Sequence, residues 1–257
     1  MRAIILAAGQ GSRLLPHTED RPKCLVELAG RPLLAWQLAV LRDLGIADIV
    51  LVGGYRAEQL RRWHPDVVVN AAYRTTNMVR SLFCAEAHLR GDADILIAYS
   101  DIVYEPRVAA ALLESRAPVA VAVNTAWREL WQARMADPLA DAETLRIGAD
   151  GRLLEIGRKA GSYDQVEAQY MGLIKVDAAH AARLRGVYDA MAADGRFAGA
   201  AHGNMYLTDF LQRLCDDGWP VHAERIDGGW LEVDSVEDLA LYEALAAAGQ
   251  LDRFCRL

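Results

Sequence analysis

The chain reads as an α/β protein: a mixed, mainly parallel sheet interleaved with helices and carrying an inserted β-hairpin. Three observations predict this. Near-continuous apolar runs, the pattern of strands buried on both faces, recur at AIILAA, DIVLVGG, DVVVN, DILIAYS and PVAVAVN. Helical patterns separate them: PLLAWQLAVLRDLG with Pro32 opening and Gly45 closing, YRAEQLRRW, NMVRSLFCAEAHLRG and PRVAAALLESR. Such alternation gives βαβ units with right-handed crossovers. After about residue 125 the pattern changes, and TLRIGADGRLLEIG reads as two short strands around an Ala-Asp-Gly turn.

The remaining elements follow in order. A strand is predicted at AQYMGLIKV, helices around AAHAARLRGVYDAMAADG and NMYLTDFLQRLCDDG, strands near PVHAERI and WLEVD, and a last helix opened by Ser235. No internal repeat and no linker interrupts the chain, so residues 1–257 are expected to form one domain, with the later strands joining the first sheet. Its 257 residues suffice for one large α/β domain with a substantial core.

Composition narrows the function classes. A net charge of −7 argues against general nucleic-acid binding, which draws on a basic surface. Four cysteines, Cys24, Cys84, Cys215 and Cys255, lie far apart with no paired spacing, so neither a zinc site nor a disulfide framework is expected. Reduced thiols fit a cytoplasm. The apolar run after Met1 and Arg2 is shorter than a signal-peptide core, and no segment has the length of a membrane span. Only three lysines occur, Lys23, Lys159 and Lys175, so a lysine here is a rarer event than an arginine.

The first strand runs into LAAGQGSRLLPHTEDRPKCLVEL. Glycine-rich backbone after a strand can turn its N–H groups on an anion, with phosphate the usual guest; a tight strand-exit turn is the plainer reading of Gly9 and Gly11. A dinucleotide fingerprint is absent: its third glycine position holds Leu14, Pro16 and Pro22 prevent a regular helix, and the second strand ends in VGGY without an acid. No Walker loop is present either. What remains is a long irregular loop whose Arg13 and Lys23 can converge on a polyphosphate as fork donor and point charge.

LAAGQGSRLLPHTEDRPKCLVELAGRPLL resembles the signature of nucleoside-triphosphate transferases, which join a nucleotide to a phosphorylated acceptor and release pyrophosphate. TTNMVRSL, YSDIVY, EAQYMGLIKV, NMYLTDFLQRL and GWLEVDSVEDL are similar to CTP:phosphocholine cytidylyltransferases and related enzymes for phosphonates and small phosphoesters. The similarity spreads from residue 2 to about 243. It implies a Rossmann-like nucleotidyltransferase domain, with residues 1–125 as the nucleotide-binding half and residues 126–257 as the acceptor-binding half.

Asp101 follows a buried strand, at the end where open α/β sheets bind ligands; a turn or cap aspartate is the alternative. Glu232 and Asp234 are two apart on a strand and share a face, although Asp234 or Ser235 also suits a helix cap. Carboxylates from distant strand ends can hold Mg²⁺ together with phosphate oxygens. The resemblance makes Asp101 and Asp234 the metal ligands, with Glu232 set toward metal-bound water or an acceptor ammonium. It also makes Arg13, Lys23 and Lys159 the catalytic cations, with Lys159, in GRKAGSY, facing the acceptor phosphate; a solvated loop lysine is the alternative. Ala8, Gly9, Gly11, Tyr99 and Ser100 are expected to surround the nucleotide. Asn77 suits either that role or a helix cap.

The acceptor region is expected at WRELWQARMADPLADAETL, with Tyr170 added from EAQYMGLIKV. Trp127 and Trp131 are four apart and form either a core stripe or, facing the pocket, a surface for an amine. Arg128 and Arg134 would suit a carboxylate or phosphate. The expected function is a Mg²⁺-dependent transfer of CMP from CTP to a small nitrogen-bearing phosphate or phosphonate, releasing pyrophosphate. The substrates are CTP and that acceptor, with no nucleic acid and no membrane involved. A sugar-1-phosphate nucleotidyltransferase is the runner-up. A non-catalytic nucleotide sensor is disfavoured by the joint presence of Arg13, Lys23, Asp101 and Asp234.

Overall fold

The computed structural model describes every residue of the chain except Ala198. Seven strands form the central sheet: β1 (Arg2–Ala7), β2 (Asp48–Gly53), β3 (Val67–Val69), β4 (Ile95–Tyr99), β5 (Val119–Asn124), β6 (Gln169–Val176) and β7 (Val221–Ile226). Their order across the sheet is β7-β5-β6-β4-β1-β2-β3. Pairings β1 with β2, β1 with β4, β2 with β3 and β5 with β7 are parallel. Only β6 runs the other way, antiparallel to both β4 and β5. The sheet is thus mixed and mainly parallel.

The apolar runs are continuous because both faces of the sheet are covered. Along β1, Ala3, Ile5 and Ala7 enter one buried cluster while Ile4 and Leu6 enter the other. Strand β2 divides in the same way, with Ile49 and Leu51 on one side and Val50 and Val52 on the opposite side. Burying such runs on two faces is the main favourable contribution to this fold.

Three expectations are refined. YRAEQLRRW makes a 3-10 segment, Ala57–Arg62, where an α-helix is predicted. Arg56 enters it in the left-handed region and Pro65 follows shortly after, which leaves too few residues to repay helix nucleation. NMVRSLFCAEAHLRG is helical only over Met78–Cys84, followed by a 3-10 turn at Glu86–His88. WLEVD lies outside the central sheet: Trp230–Glu232 pairs antiparallel with Ile102–Tyr104, a short strand hidden within YSDIVY. The hairpin forms as predicted from Glu143–Ile147 and Leu153–Lys159. Among the described residues no helix is long and apolar enough to cross a membrane.

Candidate active site

The small ladder outside the sheet builds the centre of the site. Glu232 lies opposite Ile102, and the Val233 N–H donates to the Asp101 carbonyl at 2.9 Å. This register carries Asp234 and Glu232, more than 130 residues away in sequence, to the end of β4, where Asp101 emerges. One carboxylate oxygen from each of the three lies within 4.8 Å of the others. Asp101 Oδ1 is buried and has no hydrogen-bond partner among the described residues.

The loop after β1 supplies the cations. Lys23 Nζ donates to Asp101 Oδ2 at 2.7 Å and to Asp234 Oδ1 at 2.5 Å. Arg13 Nη2 donates to Asp234 Oδ2 at 2.8 Å. Gly11 makes the Lys23 position possible: its φ is +74°, and a Cβ there would stand 2.9 Å from both Cβ and Cγ of Lys23. Two contacts pin the loop tip to the segment that follows β2, Tyr55 Oη donating to the Glu19 carbonyl at 2.6 Å and Gln59 Nε2 to the Asp20 carbonyl at 2.6 Å.

Charge is balanced around this cluster. Burial works against the Lys23 ammonium, but Asp101, Asp234 and Glu232 together outweigh it and raise its pKa above the ordinary lysine value. Burial likewise opposes ionisation of Asp234, yet Lys23 and then Arg13 hold its carboxyl below the usual range. Glu232 fares differently: burial first, then the charges of Asp234 and Asp101, push it up to about 8.

Two cavities meet at the cluster. The smaller, about 130 Å³, is lined by Ala8, Gly9, Lys23, Asn77, Ser100 and Asp101 together with Tyr99 and Met78. The larger, about 330 Å³, shares Tyr99 and Met78 and continues past Arg13, Glu232 and Asp234 to Trp131, Asp141, Glu143 and Tyr170. Gly172 lets Tyr99 fill the seam, since a Cβ there would lie 2.9 Å from the tyrosine ring. The Tyr99 and Tyr170 rings meet edge to face at 5.6 Å.

Most sequence-predicted residues come together here. Ala8, Gly9, Asn77, Tyr99 and Ser100 line the smaller cavity, whereas Gly11 stands behind Lys23. Asn77 is also the cap of its helix, its side chain accepting from the Met78 N–H at 2.9 Å. Trp131, Tyr170 and Glu232 line the larger cavity. Four residues lie elsewhere. Trp127 is buried against Tyr163 in the core, the bland side of its helix stripe. Arg128 is exposed and stacks on the Tyr163 ring at 3.9 Å. Lys159 is exposed at the end of the hairpin and lines neither cavity. Arg134, expected as a fork for an acceptor anion, is 3% exposed and gives its fork to Asp238 at 2.9 and 3.0 Å.

Asp238 is a site residue that sequence reasoning passed over. It accepts from the N–H groups of Asp234 and Ser235 at 3.0 and 3.1 Å while its own N–H donates to Ser235 Oγ, so it ties Arg134 to the loop carrying Asp234. The signal was present as the capping-box pattern SVED. Asp141, Glu143 and Gln169 were missed as well, and no local pattern marks them, since the hairpin's placement alone brings them to the cavity. Asp141 Oδ2 accepts from Trp131 Nε1 at 3.0 Å. The Gln169 side chain clamps the backbone of Glu143, accepting from its N–H at 3.1 Å and donating to its carbonyl at 2.7 Å.

The model of the MobA-like NTP transferase domain matches residues 3–165. The CTP:phosphoglutamine cytidylyltransferase of Campylobacter jejuni is 38% identical over 248 residues, 93% of this chain and 98% of that protein. The CMP-5'-(3-aminopropyl)phosphonate synthase of Streptomyces rubellomurinus is 32% identical over 249 residues, 93% of this chain and 37% of that protein. The solved CTP:phosphocholine cytidylyltransferase of Streptococcus pneumoniae shares the fold, with a TM-score of 0.68 over 95% of this chain and 98% of that one at 23% identity. With a family match over more than half its length and the loop, acidic cluster and paired cavities in place, the chain belongs to the MobA-like NTP transferase family and is a nucleotidyltransferase.

Proposed function

We propose that the chain transfers CMP from CTP to a small nitrogen-bearing phosphate or phosphonate monoester and releases pyrophosphate. The observation that carries this reading is the Lys23–Asp101–Asp234 cluster standing where two cavities meet. The smaller cavity, walled by residues of the first 125 positions, suits the nucleoside end of CTP; the larger, walled mainly by later residues, suits the acceptor. Similarity to the phosphoglutamine and aminopropylphosphonate enzymes supports cytidine and a nitrogen-bearing acceptor.

The chemistry needs no general base. An acceptor phosphate has a second pKa near about 6 and is largely dianionic at neutral pH. One of its oxygens attacks the α-phosphorus of CTP, the bond from that phosphorus to the bridging oxygen breaks, and the electron pair leaves with pyrophosphate. The chain must gather anions, align them and balance the developing charge. Lys23 stands at the seam for this. Arg13 is two-thirds exposed, so it exchanges a carboxylate contact for a phosphate contact with little desolvation.

The acidic cluster fits a divalent cation: three carboxylates converge and one buried oxygen of Asp101 lacks a partner among the described residues. Asp101 and Asp234 would hold Mg²⁺, with Glu232 beside them. When bound, the ion supplies Lewis-acid charge neutralisation on the triphosphate. Four free cysteines are compatible with work in a reducing cytoplasm.

The test is pyrophosphate release from each of the four NTPs with phosphocholine, 2-aminoethylphosphonate, a phosphorylated amino-acid amide or a sugar 1-phosphate. CTP with a nitrogen-bearing acceptor is expected to exceed every sugar 1-phosphate by at least about tenfold in kcat/KM, which takes only about 1.4 kcal/mol of differential binding. Equal or better turnover of glucose 1-phosphate would replace this acceptor class with sugars.

A further inference from the structure

The larger cavity carries an unusual charge inventory. Its lining holds four carboxylates, Asp141, Glu143, Glu232 and Asp234, against a single cation, Arg13. Three of the four are already engaged. Asp234 is held by Lys23 and Arg13, Asp141 accepts from the Trp131 indole, and Glu232 lies 3.7 Å from the Arg134 guanidinium. The Glu143 carboxylate alone makes no hydrogen bond or ion pair among the described residues. Its backbone, by contrast, is gripped at both polar atoms by the buried amide of Gln169, so its position is fixed while its charge is unmatched.

A partly buried anion without a partner is costly, and a cation or N–H donor arriving beside it recovers that cost. Burial, together with Asp141 and Asp209, pushes the Glu143 carboxyl up to about 7, and a positive charge beside it would favour its ionised form. Tyr99 and Tyr170 line the same cavity, and the buried Tyr170 hydroxyl also has no partner among the described residues. Neither Arg134, whose fork goes to Asp238, nor Arg128, which stacks on Tyr163, lines this cavity.

We infer that Glu143 is the residue that selects the acceptor: it takes the ammonium or N–H-bearing end of the molecule while the phosphate end lies at the acidic cluster. This rests on the reading proposed above and adds the group that decides among acceptors. Glu143→Gln keeps the size and hydrogen-bonding shape of the side chain and removes its charge.

The experiment measures CTP-dependent pyrophosphate release by wild type and Glu143→Gln with 2-aminoethylphosphonate and with ethylphosphonate, which lacks the nitrogen. Calorimetry of both phosphonates in the presence of the α,β-methylene analogue of CTP, which cannot release pyrophosphate, and a thermal melt of each protein, accompany it. Wild type is expected to prefer the amine at least tenfold in kcat/KM, mostly through KM, and Glu143→Gln to bring that ratio to within about threefold of unity. The calorimetric affinities should converge in the same way while the melts stay alike. A ratio that persists in the variant, or a wild type that does not distinguish the two phosphonates, overturns the assignment of Glu143 alone. Wild type that releases no pyrophosphate with CTP and any nitrogen-bearing acceptor overturns the proposed function itself.

Discussion

At the scale of single residues, the site depends on charges that constrain one another. Asp101 and Asp234 are drawn toward the same ammonium, and Lys23 is held by both. Removing either carboxylate therefore takes away a proposed metal donor and unbalances the lysine at once. Asp101→Ala and Asp234→Ala are each expected to lower pyrophosphate release by about a hundredfold or more, about 2.7 kcal/mol of barrier, with far-UV circular dichroism unchanged. Turnover at the wild-type rate in either variant with Mg²⁺ present would reduce that residue to a structural role. These residues were legible in the sequence because each follows a local signal: an aspartate after a buried strand, a lysine after proline in a glycine-bearing loop. Glu143 carries no such signal, since only the folded hairpin and the amide of Gln169 turn it into the cavity.

At the scale of elements, the last helix, Val236–Ala247, is more than a packing unit. Its capping box uses Ser235 and Asp238, and Asp238 also holds the Asp234 N–H and the Arg134 fork. Ser235→Ala is expected to cost about 1 kcal/mol of stability, as an N-cap loss does, and to lower Tm by about 2–4 °C. Because the same cap orients the loop bearing Asp234, turnover at a temperature where the variant is fully folded should fall by a larger factor than its stability loss implies. A Tm shift with unchanged kcat would show that cap and site are uncoupled. Strands and helices with strong apolar period were readable in order, from β1 to this helix. The three-residue strand Ile102–Tyr104 was not, because so short an apolar run has no period of its own and is defined only by its partner, Trp230–Glu232.

At the scale of the whole molecule, charge is distributed locally against a net charge of −7: one loop carries Arg13 and Lys23, proposed to meet the anionic nucleotide, while acidic groups gather around the second cavity. The two halves anticipated in the sequence are joined by the reversed strand β6, which slots between β4 and β5. In the sheet, β5 pairs only with β6 and β7, both of which lie beyond residue 165, where the family match stops. On a ribosome, which makes the chain from its N-terminus, β5 emerges with neither neighbour yet synthesised and β4 with one edge bare. A fragment ending at residue 165 is accordingly expected to be degraded quickly by limited proteolysis and to lack a cooperative melt. A resistant, cooperatively melting fragment would contradict this. On that expectation the first 165 residues do not mature ahead of the rest, nor can the later portion be exchanged between enzymes as a cassette cut at the midpoint, because the seam between them runs through the middle of a sheet.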